Sequence, residues 1–149
     1  MKFKQEEIIK AKEIFKDLRK DLGLPSVEVE ISPYRPIHNE KADVDENGNI
    51  TIYAQKIISF EDLVHTIRHE LRHVWQQINY PEHTKWWREN MPYYNYLKSC
   101  SMLYKCCTVE ADAEQFAIYN NTELEALLKR PTRWLEDKKT EFYHIYKTC

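Results

Sequence analysis

Residues 59–79 constrain this chain more than any other stretch. Phe60, Leu63, Val64, Ile67, Leu71, Val74, Trp75 and Ile78 recur at intervals of three and four, the period of a helix with one apolar stripe. Ser59 and Asp62 stand three apart at its start, resembling a capping box with Asp in place of Glu, and Asn79-Tyr80-Pro81 ends it. At about 100° per residue the stripe centres near the direction of Phe60 and Ile78. His69 then lies roughly 180° from that direction and His73 roughly 220°. Such a helix must pack its stripe on a second layer, and its other side carries two histidines one turn apart.

The second layer is legible upstream. Ile8, Ile9, Ala11, Ile14, Phe15 and Leu18 predict a helix over residues 4–22, with Gly23 and Pro25 as stop signals. Val27, Val29 and Ile31 alternate with Glu28 and Glu30, a half-buried strand from Ser26 to Ser32. Asn47-Gly48 sits between Val44 and the Ile50-Thr51-Ile52-Tyr53 run, a hairpin signal over residues 43–54 whose turn is two residues or longer. Downstream, an aromatic segment (82–98) leads to a helix that starts near Ser99 or Thr108 and ends at Tyr119. Thr122 caps a short helix to Arg130, and Pro131-Thr132 opens a last one to about Lys147. The pattern is α+β: a small antiparallel or mixed sheet from residues 26–54, covered by the N-terminal helix and the 59–79 helix. At 149 residues the chain suits a single domain over 1–149.

Composition removes several classes of function. Two glycines in the whole chain argue against a Gly-rich phosphate loop. A formal net charge of −2 gives no global attraction to nucleic acid or an anionic membrane. Cys100, Cys106, Cys107 and Cys149 form no C-x-x-C pair, so a cysteine zinc site of the usual spacing is not expected. The charged start, Met1 to Glu7, lacks the apolar stretch of a signal peptide, and no run reaches the length of a membrane span. A cytoplasmic protein with reduced thiols is the expectation.

The chemistry sits on the 59–79 helix. His69-Glu70-Leu71-Arg72-His73 reads H-E-x-x-H. Positions i and i+4 share a face, so both imidazoles can reach one ion. Glu70 lies on the flank, where its carboxylate can approach a water on that ion without ligating the ion itself. Catalytic zinc usually takes three protein ligands and keeps one position open. Downstream, Glu110 and Glu114 share a helical face with Leu103, Cys106, Ala113 and Ala117. Carboxylates on a small, apolar face are costly to bury unless something cationic meets them. Glu110 as ligand and Glu114 as acceptor for a ligating imidazole N–H would meet that cost. The exchange of these two roles is open in the sequence, and an ion pair or a partly exposed face would explain the glutamates without a metal. Asp112 points to the opposite side. His65 precedes His69 by four, but His65 and His73 are about 12 Å apart along the axis. One ion cannot take all three, so His65 is expected to be structural or to support a ligand. His38, His83 and His144 are further candidate ligands or transition-state donors, with a surface histidine as the default reading of each.

The H-E-x-x-H at 69–73, followed by Glu110-Ala111-Asp112-Ala113-Glu114-Gln115-Phe116-Ala117, resembles the compact ImmA/IrrE-type zinc metallopeptidases. These are common in phages and mobile elements and belong to the gluzincin group. The likeness covers about residues 60–118. In that family H-E-x-x-H is followed by E-x-E-A-x-x-F-A, whose first Glu is the third ligand. The resemblance therefore implies a zincin-like minimal metallopeptidase domain that holds one zinc ion on His69, His73 and Glu110, with Glu70 as general base. Asp112 stands where the family often has Glu, and Arg72 where a small residue is common. The chain has no helix-turn-helix domain and no clear match after Phe116-Ala117. The expected activity is hydrolysis of a peptide bond in a peptide or protein substrate by a metal-activated water. The alternative is a non-proteolytic zinc-binding module, a sensor or protein-interaction domain, on the same fold. A DNA-linked protease of the SprT-like kind would take a histidine as third ligand, which the Glu110 pattern fits less well.

Overall fold

The computed structural model describes residues 2–36, 40–82, 84–85 and 108–118. Among them are helices α1 (Gln5–Asp21), α2 (Phe60–Asn79) and α3 (Thr108–Ile118), and strands β1 (Val29–Ser32), β2 (Ala42–Val44) and β3 (Ile50–Tyr53). A short 3-10 turn, Ala54–Lys56, follows β3. The described elements are α+β, as the pattern predicts. Residues Met1–Val74 form one compact unit and Trp75–Cys149 a second.

In the first unit α1 buries Ile8, Ala11, Phe15 and Leu18 and leaves Ile9 exposed. Glu6 and Glu7 sit in its first turn and Arg19 and Lys20 in its last, each sign matching the helix dipole. Gly23 ends the helix at φ 68°. Its N–H donates to Lys20 O and that of Leu24 to Arg19 O. These are the two bonds of a Schellman cap, which the left-handed glycine permits.

The sheet is mixed, in the order β1-β3-β2, with β3 central. β1 runs parallel to β3 from Val29 opposite Ile50 to Ser32 opposite Tyr53. β2 runs antiparallel to β3. Ile50 and Ile52 are buried and alternate with half-buried Thr51 and Tyr53, the period of a strand with one core face. β1 is shorter than the predicted 26–32. Val27 N–H turns back to Pro25 O, and Glu28 N–H goes to the Asn49 side chain, so Glu28 joins the ladder only through its carbonyl, which accepts from Ile50 N–H, and residue pairing starts at Val29.

The β2–β3 turn is longer than two residues. Asp45 N–H donates to Asn49 O, and Gly48 N–H to Asp45 O. Asp45 Oδ1 accepts from the N–H groups of Asn47 and Asn49. The N–H of Asn49 contributes most to holding the Asp45 carboxyl below its ordinary value. Gly48 has φ 86°, and a Cβ there would stand 3.1 Å from Val27 Cγ1 and 3.2 Å from Val74 Cγ1. Glycine is thus required twice, by backbone conformation and by the close approach of α2.

Ser59 caps α2: its Oγ accepts from Asp62 N–H at 3.0 Å. The reciprocal bond lands one residue earlier than a capping box would place it. Asp62 Oδ2 accepts from Ile58 N–H, and both carboxylate oxygens accept from Lys41 Nζ. Burial raises the Asp62 carboxyl, but the bonds from Lys41 and Ile58 more than offset it and leave the group below its ordinary value. A carboxyl with a depressed folded-state pKa contributes stability above the unfolded value of about 3.9 and loses it as pH falls through the folded value. Asp62→Asn is therefore expected to cost about 1 kcal/mol at pH 7, with the difference shrinking below the ordinary Asp range. Urea unfolding of both proteins at pH 7 and at pH 3 checks this. A penalty of equal size at both pH values would count against the ionised cap.

The core face of α2 lies in the predicted direction, with burial strongest along the middle of the stripe. Leu63, Ile67, Leu71, Val74 and Trp75 are buried, whereas Phe60 and Val64 are half-buried and Ile78 is exposed. Ile67 and Leu71 stand about 20° on either side of the direction shared by Phe60 and Ile78, so the centre of the stripe holds, and the helix is also buried on a second side. Arg72 and Gln76, polar on the wheel, have 0% exposure.

In the second unit the end of α2 meets α3 through Gln76. Its Nε2 donates to Val109 O at 2.8 Å and to Asp112 Oδ2 at 2.7 Å. Val109, Glu110, Asp112, Ala113, Phe116 and Ala117 are buried along α3, while Glu114 and Ile118 are exposed. The expectation of two carboxylates on one buried face therefore holds for Glu110 and not for Glu114. The second buried carboxylate is Asp112, on the opposite side of the helix, where it meets Gln76. The Ser99 helix start, Leu103, Cys106 and the other cysteines, His38, His83, His144, the aromatic residues 86–98 and the helices after Thr122 lie outside the described residues.

Candidate metal centre

The site is built on α2, whose regular turns carry His65, His69 and His73 at successive intervals of four. All three histidines are half-buried, as is Glu70. Nε2 of His69 and Nε2 of His73 stand 3.1 Å apart. Their rings meet edge to face, with centroids 4.8 Å apart and planes at 76°. Two nitrogens on one tetrahedral zinc, each at about 2.0–2.1 Å, stand about 3.3 Å apart. A straight N–H···N bond along both ring axes would hold the centroids more than about 5 Å apart. The shorter separation means that the rings lean towards each other rather than meeting in a straight line.

Among the described residues, two groups of three side chains could hold a metal ion. One is His69, His73 and Glu110; the other is His65, His69 and Glu114. Within each group the ligand atoms all lie within 4.8 Å of one another. The first group is the set the sequence singled out. Glu110 is 5% exposed, and a carboxylate so buried is tolerated where a cation or strong donors meet it. Two imidazoles and one carboxylate match the donor set of a catalytic zinc that keeps a position open. The second group places His65 and Glu114 together with His69, a pairing the sequence reading did not make. Its signal was present: 65 and 69 repeat the spacing of 69 and 73, as 110 repeats into 114.

No family model, curated protein or solved structure matches this chain. Among the described residues, no helix is long and apolar enough to cross a membrane.

Proposed function

We propose that this chain is a zinc-dependent peptidase on a zincin-like domain, with His69, His73 and Glu110 as ligands and Glu70 as general base. The observation that carries the reading is the approach of the His69 and His73 Nε2 atoms to 3.1 Å. Zinc bound there would lower the pKa of a water and polarise the scissile carbonyl. Glu70, one residue from the first ligand on a rigid helix, takes the proton from the attacking water and passes it to the leaving amine. His69 and His73 keep their spacing because both ride on one helix. Glu110 adds the negative charge that makes a divalent ion more favourable than two imidazoles alone.

Two measurements test this. Glu110→Ala is expected to weaken zinc binding by on the order of 100-fold or more, read by competition with a chromophoric chelator. Unchanged affinity would remove Glu110 from the ligand set. Cleavage of a mixed peptide library, abolished by a chelator and restored by zinc, is expected of the wild-type chain. Zinc at full occupancy with no cleavage would instead make the chain a zinc-binding module.

A further inference from the structure

We propose that the Asn47–Gly48 bond is a site of spontaneous covalent modification, deamidation through a cyclic imide, and that the β2–β3 turn gates it. Asparagine is among the thermally labile side chains. Its lability depends on the residue that follows, whose backbone nitrogen is the attacking atom and whose side chain obstructs the approach. Gly48 follows Asn47, and no other Asn-Gly pair occurs in the chain. Asn47 is exposed in the middle of the turn, so its side chain meets water. The reaction needs no other partner. The nitrogen of Gly48 attacks Cγ of Asn47, the bond from Cγ to the side-chain nitrogen breaks, and ammonia leaves with the Gly48 proton. Water then opens the imide, its hydroxyl going to carbon and its proton returning to the Gly48 nitrogen. Breaking the bond from nitrogen to Cγ gives aspartate on an ordinary backbone. Breaking the bond to the backbone carbonyl carbon gives isoaspartate, whose chain runs through Cγ and is longer by a methylene.

The folded turn opposes the first step. Gly48 N–H donates to Asp45 O at 3.1 Å, so the attacking nitrogen is engaged as a donor. Gly48 is buried at φ 86°, and the position a Cβ would take stands 3.1 Å from Val27 Cγ1 and 3.2 Å from Val74 Cγ1. Its backbone cannot swing towards the Asn47 side chain without leaving that seat. Asp45 Oδ1 holds the flanking N–H groups of Asn47 and Asn49 at 2.8 and 2.9 Å. Reaction therefore requires local opening of the turn, and the folded chain reacts at the unfolded rate scaled by its open fraction. The isoaspartyl product cannot close the turn again, because the longer chain takes Gly48 out of register with Asp45 O and with the two valines.

Hydroxylamine is a suitable probe because it captures the imide and cleaves the chain there. Unfolded in urea, the wild-type chain is expected to yield two fragments, one ending at residue 47 and one starting at Gly48, identified by mass. With pH and hydroxylamine concentration held fixed, the folded chain should yield them at least about tenfold more slowly. Asp45→Ala removes the carboxylate that holds two turn amides and leaves Asn47 and Gly48 in place. Once far-UV circular dichroism shows it folded, it should be cleaved at least about threefold faster than folded wild type. Asn47→Gln should give no such fragments. Equal rates for the folded and unfolded wild type, or for folded Asp45→Ala and folded wild type, overturn the gate. An unfolded chain that gives no fragments, or an Asn47→Gln chain that gives the same ones, overturns the site.

Discussion

Glu70→Gln is expected to lower kcat by about 10²- to 10⁴-fold, the usual contribution of a positioned general base, while zinc content stays at the wild-type level. Glutamine keeps the shape of the side chain and the helix propensity of the position, but its amide cannot accept a proton. The half-buried setting of Glu70 on α2 means the substitution adds no charge and removes no core packing. Zinc occupancy measured beside turnover separates the outcomes. Loss of rate with retained metal supports the base. Loss of both would make Glu70 a determinant of binding, and retained rate would exclude it from catalysis.

Gln76→Leu is expected to destabilise the protein by about 2–4 kcal/mol. The side chain is fully buried and donates to a backbone carbonyl and to a buried carboxylate. Leucine fills similar space but removes both bonds, and a buried acceptor that loses its donor costs far more than the bond itself contributes. The effect should appear as a fall in Tm of roughly 2–4 °C per kcal/mol. Asp112→Leu in the same background removes the acceptor as well. The double variant should therefore lose less than the sum of the two single changes, and the shortfall measures the coupling. A single-variant loss under about 1 kcal/mol would show that the pair has little energetic weight.

These two residues also mark where the sequence was and was not readable. α1 and α2 were legible because their apolar repeats are long, and the hairpin because Asn-Gly falls between apolar runs. His69, Glu70 and His73 were legible because a helix converts spacing directly into direction. The late start of the predicted 26–32 strand, at Val29, was not, because it depends on Asn49 in the β2–β3 turn taking the N–H of Glu28. The full burial of Arg72 and Gln76 was not legible because a wheel scores each side chain alone. The burial of Gln76 and Asp112 becomes tolerable because they bond each other across 36 positions of sequence. The same limit hid the contrast between buried Glu110 and exposed Glu114, which share a face on the wheel.

The position of β3 at the centre of the sheet has a consequence for the order of assembly. β2 and β3 are joined by a short turn, so their pairing closes a small loop. β1 pairs with β3 only after the chain has travelled through β2, a longer closure with a larger entropic barrier. The hairpin is therefore expected to form first and β1 to dock onto it. In pulse-labelled hydrogen exchange during refolding, amides of β3 bonded to β2 should gain protection before those of β1. Simultaneous protection would mean that the three strands condense as one unit.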